Sequence, residues 1–127
     1  MRKGRKGTMM VALVALLVAI FATAAYAATI NCTGGPCKGT GDPDTLNESA
    51  GNDQMYGYGA RDFLDANNAA PGDTDTLRGG RNNDDLVADD GDGDDVVYGG
   101  RGRDGECTVD EGDEVHECDG NVTRLSN

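Results

Sequence analysis

Tryptophan is absent from this chain, aromatic residues make up only 5% of it, and His116 is its single histidine. With one histidine and no motif that sets a nucleophile beside it, acid–base or nucleophilic catalysis lacks its usual partners. His116 is therefore read as an exposed side chain on the last strand. No phosphate-cradling glycine loop and no zinc-protease helix motif occurs, so no enzymatic role is expected. Long apolar runs are missing as well. The one candidate, VALVALLVAIFATAA at residues 11–25, falls short of the ~20 residues that a spanning helix needs.

Basic residues are scarce, 11 against 23 acidic ones, and four of them crowd into the first six positions: Arg2, Lys3, Arg5 and Lys6. A basic start, the apolar run and the small-residue sequence Ala25-Tyr26-Ala27 have the layout of a secretory signal peptide over residues 1–27, with cleavage before Ala28. Arg2 and Arg5 are not adjacent, which excludes the twin-arginine route. Cleavage leaves one domain, residues 28–127, with 7 basic and 23 acidic residues and a net charge of −16. Such a chain repels nucleic acid and anionic lipid, has no membrane span, and invites cations. By content alone it would also suit a disordered acidic segment, so order has to decide.

Four cysteines lie in the exported part, where disulfides persist. Proximity pairs Cys32 with Cys37 and Cys107 with Cys118, although the sequence allows three connectivities. The gaps of four and ten residues are not the short knuckles of zinc modules. The run Asp90-Gly91-Asp92-Gly93-Asp94-Asp95 looks at first like a helix–loop–helix calcium loop. The glycine and the glutamate that such a loop requires at its sixth and twelfth positions are replaced by Asp95 and Arg101, so it is rejected.

The order is a period. Eight aspartates, Asp44, Asp53, Asp62, Asp75, Asp84, Asp95, Asp104 and Asp113, are spaced 9, 9, 13, 9, 11, 9 and 9 residues apart. Seven are followed two positions later by Leu46, Met55, Leu64, Leu77, Leu86, Val97 or Val115. The exception is Glu106, which falls at the inward position and is read as an edge residue where the last coil frays. Glycine keeps the same register: Gly39, Gly57, Gly79 and Gly99 lie five places before an aspartate, and Gly51, Gly93 and Gly102 two places before one.

These units resemble the nonapeptide G-G-x-G-x-D-x-U-x of the RTX, or hemolysin-type, calcium-binding repeats, over residues 39–117. The resemblance implies an all-β, right-handed parallel β-roll of about four coils with two units per coil. The glycine-rich half forms a turn, the aliphatic half a short strand, and Ca²⁺ sits between turns stacked on one side. Alternate units would stack, so that Asp44, Asp62, Asp84 and Asp104 line one edge and Asp53, Asp75, Asp95 and Asp113 the other. Carbonyls of turn residues such as Gly57, Gly79, Gly80, Gly99 and Gly100 would add ligands, giving at most about six ions, three per edge. The chemistry agrees with the motif. Ca²⁺ takes six to eight oxygens at about 2.3–2.6 Å, glycine lets consecutive carbonyls turn toward one ion, and the aliphatic residue two places on points inward.

The two longer spacings, around Ala66–Gly72 and Asp89–Gly93, are expected to disturb their turns. Residues 28–38 are expected to cap the roll through Cys32–Cys37, and residues 118–127 to form a tail. A structural or adhesive surface protein contacting cells or polysaccharide, and an accessory module of a larger secreted hydrolase, stand as alternative functions.

Overall fold

The computed structural model describes residues 26–67 and 72–126. The signal-peptide expectation for residues 1–27 thus lies almost wholly outside the described residues. The described chain is all strand and turn. Two parallel sheets face each other, and the chain alternates between them. One sheet holds β1 (Thr29–Cys32), β3 (Thr45–Glu48), β5 (Phe63–Asp65), β7 (Asp85–Ala88), β9 (Glu106–Asp110) and β11 (Asn121–Leu125), side by side in that order. The other holds β2 (Gly35–Lys38), β4 (Asp53–Tyr58), β6 (Thr76–Arg81), β8 (Val96–Arg101) and β10 (Glu114–His116). Each pair of successive strands is one coil of a parallel β-solenoid, the β-roll that the repeats imply.

The roll has about five coils rather than about four, because segments without the nonapeptide motif join it. Residues 28–38 supply β1 and β2, whose Ile30 and Cys37 lie in register with Leu46 and Met55. Residues 118–127 contain β11, which pairs with β9.

Strands this short are held by what they bury. Side chains alternate across a strand, and the aliphatic residue two places after each aspartate falls on the inner face. Leu46, Leu64 and Leu86 stack in one sheet, and Met55, Leu77 and Val97 in the other, all with no exposed surface. Each such side chain contributes roughly 1.5–3 kcal/mol. A second inner row, Ala66, Ala88 and Val109, is equally buried and carries no sequence motif.

Glu106 does not occupy the inward position. Asp85 pairs with Glu106 and Leu86 with Cys107, so one extra residue, Gly105, is accommodated after Asp104, with its N–H on the carbonyl of Asp84 at 2.8 Å. The single-residue insertion flips the strand by one place. Cys107 enters the core with no exposed surface and Glu106 goes to solvent.

The outer face of the second sheet carries Tyr56, Arg78, Tyr98 and His116 in register. The Arg78 guanidinium lies 4.2 Å from the Tyr98 ring centre, and the Tyr98 and His116 rings stack at 4.8 Å. His116 is partly exposed and meets Glu114 at 2.8 Å.

Both disulfides are local, Cys32–Cys37 and Cys107–Cys118, and each staples an end of the roll where one face of a coil is uncovered. Closing the loop between Cys107 and Cys118 contributes about 2–3 kcal/mol at most. Replacing both of these cysteines by serine should therefore weaken the last coil and leave the central ones intact. Hydrogen exchange should show faster exchange confined to β9–β11; uniform acceleration along the chain would refute this placement of the staple.

Candidate metal centre: two rows of buried carboxylates

The eight repeat aspartates stand where a turn hands the chain to the next strand. Asp44, Asp62, Asp84 and Asp104 precede strands of the first sheet, and Asp53, Asp75, Asp95 and Asp113 begin or precede strands of the second. Both columns are those the repeat implies. Their burial is not what a surface carboxylate would show: none of the eight exceeds 5% exposure.

A backbone hydrogen bond holds seven of the eight there; at Asp104 the Oδ1 as well as the Oδ2 is buried without a partner among the described residues. The Oδ1 of an aspartate accepts the N–H of the aspartate one coil earlier. Asp62 accepts from Asp44 at 2.8 Å and Asp84 from Asp62 at 2.9 Å. On the other edge Asp75 accepts from Asp53 and Asp95 from Asp75, both at 2.7 Å, and Asp113 from Asp95 at 3.2 Å. The side chain thus replaces a carbonyl that the ladder would otherwise have to supply.

The second oxygen separates the aspartates into two groups. In Asp53, Asp62, Asp75, Asp84, Asp95 and Asp104 the Oδ2 atom is buried with no hydrogen-bond partner among the described residues. At the two ends of the series it is satisfied. Asp44 Oδ2 accepts the N–H and the hydroxyl of Thr40 at 2.6 and 2.9 Å, and Asp113 Oδ2 accepts the N–H of Asp110 at 2.7 Å. A buried charged oxygen without a partner is expensive, and here six are lined up.

Titration behaviour follows burial first, which also raises the hydrogen-bonded Asp113. Burial, offset in part by the N–H of Asp62 and reinforced by neighbouring carboxylates, pushes Asp84 up to about 7. Burial likewise pushes Asp95 to about 7, and Asp62 and Asp75 to about 6. At Asp44 burial also acts upward, but the hydrogen bonds from Ala28 and Thr40 outweigh it and hold the carboxyl below its ordinary value.

What faces the orphaned oxygens is more oxygen. A Cβ built on Gly57 would stand 2.5 Å from Asp62 Oδ2 and 2.6 Å from the Gly79 carbonyl oxygen. A Cβ on Gly79 would stand 2.6 Å from Asp84 Oδ2 and 2.7 Å from the Gly99 carbonyl oxygen. Gly57, Gly79 and Gly99 therefore keep open small cradles between successive turns, lined by a carboxylate from one turn and a carbonyl from the next. Gly80 and Gly100 act differently. They take φ of 110° and 103°, the left-handed region in which glycine alone is unstrained, and each lies close against the backbone of the preceding coil.

The other edge brings in a carboxylate that the repeat pattern does not announce. Carboxylate oxygens of Glu48, Asp53 and Asp75 lie within 4.8 Å of one another. Glu48 sits in register with Ala66 of the second inner row. Its position could be found only once the pairing of coils was known.

Carboxylates and carbonyls without donors, on a glycine-rich backbone, are the donor set of a hard divalent cation of the size of Ca²⁺. The residues fit such an ion. The fold and these rows define a class, a parallel β-solenoid with cation sites between its turns. Residues 38–69 and 72–105, more than half of the chain, match the RTX calcium-binding nonapeptide repeat in four copies. The chain belongs to that family. No curated protein and no solved structure matches it.

Two outcomes follow. In Gly79→Ala the new methyl group should fill a cradle and lower the number of bound ions, whereas Gly59→Ala, with nothing within 4 Å of the added carbon, should bind as the parent does. Equal ion counts for the two variants would remove the cradle from the account. The second concerns pH without metal. Carboxyls raised above their unfolded value make the folded roll bind protons more tightly than the unfolded chain does. That stabilisation is complete below about pH 4, the ordinary aspartate value, and is lost as pH rises through about 6 to 7. Circular dichroism of the metal-free chain should show most strand signal near pH 4 and least at pH 8; the reverse order would contradict the carboxylate assignment.

Proposed function

We propose that this protein is a secreted calcium-binding protein whose folding is driven by Ca²⁺ held between its stacked glycine–aspartate turns. The observation that carries this reading is the set of six buried, unpartnered Oδ2 atoms, each an interior charge without compensation. Asp62, Asp84 and Asp104 with the carbonyls of Gly79 and Gly99 would hold ions along one edge. Asp53, Asp75 and Asp95, with Glu48, would hold them along the other. Asp44 and Asp113 would close the rows through hydrogen bonds.

Bound calcium supplies positive charge and coordination to oxygens that otherwise repel. Binding energy in such a site is folding energy, because the unfolded chain has no preformed site. Secretion is supported by the signal-peptide layout and by two disulfides, which persist in oxidising compartments. The alternative roles, adhesion or service to a secreted hydrolase, require a partner and are compatible with the same calcium chemistry.

The test is circular dichroism of residues 28–127 at neutral pH during titration with Ca²⁺, Mg²⁺ and chelator. Strand signal should appear with Ca²⁺, with affinity in the range of about 10⁻⁴–10⁻³ M typical of extracellular modules, and vanish with chelator. Mg²⁺, which demands tighter octahedral geometry, should be much less effective. A strand spectrum indifferent to chelator would refute the proposal.

A further inference from the structure

Charge is divided across the roll. Three turns of one edge carry Arg61, Arg81, Arg101 and Arg103, whereas the described segments of the other edge, residues 48–53, 65–67, 72–75, 89–95 and 110–114, contain no lysine or arginine, and Arg124, which reaches that edge from β11, donates to the Asp110 and Asp113 carbonyls. On that second edge the two longer spacings bring in aspartates outside the repeat register. Asp73 stands two places before Asp75, where the neighbouring units have Gly51 and Gly93. Asp90 and Asp92 lie in the lengthened turn before Asp95.

The fold brings these three together. Carboxylate oxygens of Asp73, Asp90 and Asp92 lie within 4.8 Å of one another, and the group shares no residue with Glu48, Asp53 and Asp75. Backbone groups fix one oxygen of Asp73 and Asp90 and both of Asp92: Asp73 Oδ2 accepts the Gly51 N–H at 2.9 Å, Asp90 Oδ1 the Asp92 N–H at 3.2 Å, and Asp92 the Gly72 N–H at 2.6 Å on Oδ2 and the Asp94 N–H at 3.4 Å on Oδ1. The turn is thus tied to the coil before it through carboxylates that could have pointed into solvent. Asp73 is only 9% exposed, and its Oδ1 is buried without a partner, as is Asp90 Oδ2. Three carboxylates converge with two orphaned oxygens and no protein cation in the segments around them.

We propose that Asp73, Asp90 and Asp92 form an additional Ca²⁺ site, beside the repeat row of the second edge and built by the lengthened turns. It rests on the reading that the chain takes up calcium, and it assigns a site that the nonapeptide pattern does not contain. The lengthened turns then extend the set of sites instead of interrupting it.

Two explanations of the cluster predict opposite signs. If it binds Ca²⁺, Asp90→Asn with Asp92→Asn removes ligand charge. The chain should then bind one ion fewer at saturation, and its Ca²⁺ midpoint for folding should rise several-fold. If the cluster is only a set of repelling surface charges, the same substitutions relieve repulsion, so the midpoint should fall and the ion count stay constant. That result would overturn the proposal. Ions per chain are counted by elemental analysis after equilibrium dialysis against Ca²⁺, and folding by circular dichroism. The single variant Asp92→Asn, which keeps an oxygen for the Gly72 N–H, is measured alongside in case the double variant does not fold. It should raise the midpoint by a smaller factor, and a fall would again overturn the site. Failure of the broader calcium reading is distinguishable, because the parent chain itself would then show no folding response to Ca²⁺.

Discussion

The architecture depends on the two oxygens of one aspartate doing different things. Oδ1 accepts a backbone N–H from the coil before it and locks the register of the roll. Oδ2 is thereby turned into the gap between turns, where it meets carbonyl oxygens and no donor. The first interaction builds the solenoid. The second makes it unstable unless something positive, a proton or a cation, enters the gap. Stability and ion binding are therefore one property of this chain, and an apolar core of single Leu, Met and Val rows is consistent with that division of labour.

The ends of the rows show the same rule by exception. At Asp44 the first turn reads Gly39-Thr40-Gly41, and Thr40 donates twice to the carboxylate. At Asp113 the donor is the N–H of Asp110, while Arg124 from β11 donates to the Asp110 and Asp113 carbonyls at 3.3 and 3.1 Å. Ordinary donors fill one end of each row, at Asp44 and Asp113, whereas Asp104 and Asp53 at the opposite ends lack them as the interior positions do. A solenoid built from identical repeats would leave its last carboxylates exposed to the same shortage; here the flanking sequence relieves it at Asp44 and Asp113.

Much of this was legible in the sequence because the period is strict. The Asp-x-aliphatic register identified the inner rows through Leu46, Met55, Leu64, Leu77, Leu86 and Val97, and the alternation of units identified the two edges. Features without a period escaped. Strands β1, β2 and β11 lack the glycine–aspartate turn, and only pairing to their neighbours reveals them as coils. The insertion of Gly105 leaves the Asp104–Asp113 spacing at nine, so nothing in the count exposes the flip that exchanges Glu106 for Cys107 in the core. Ala66, Ala88 and Val109 form an inner row of small residues too ordinary to notice. The donor to each bonded Oδ1 lies 16 to 22 residues away, in a coil that one repeat read alone does not contain.

The most direct test of the central claim is a crystal structure of the calcium-loaded protein with the ions located by anomalous scattering. The account predicts ions in the gaps between successive turns, each about 2.3–2.6 Å from an Oδ2 atom of the interior aspartates, with none on the hydrogen-bonded Oδ2 of Asp44. Ions confined to exposed carboxylates, with the Oδ2 atoms of Asp62, Asp75, Asp84 and Asp95 left without a metal contact, would contradict it.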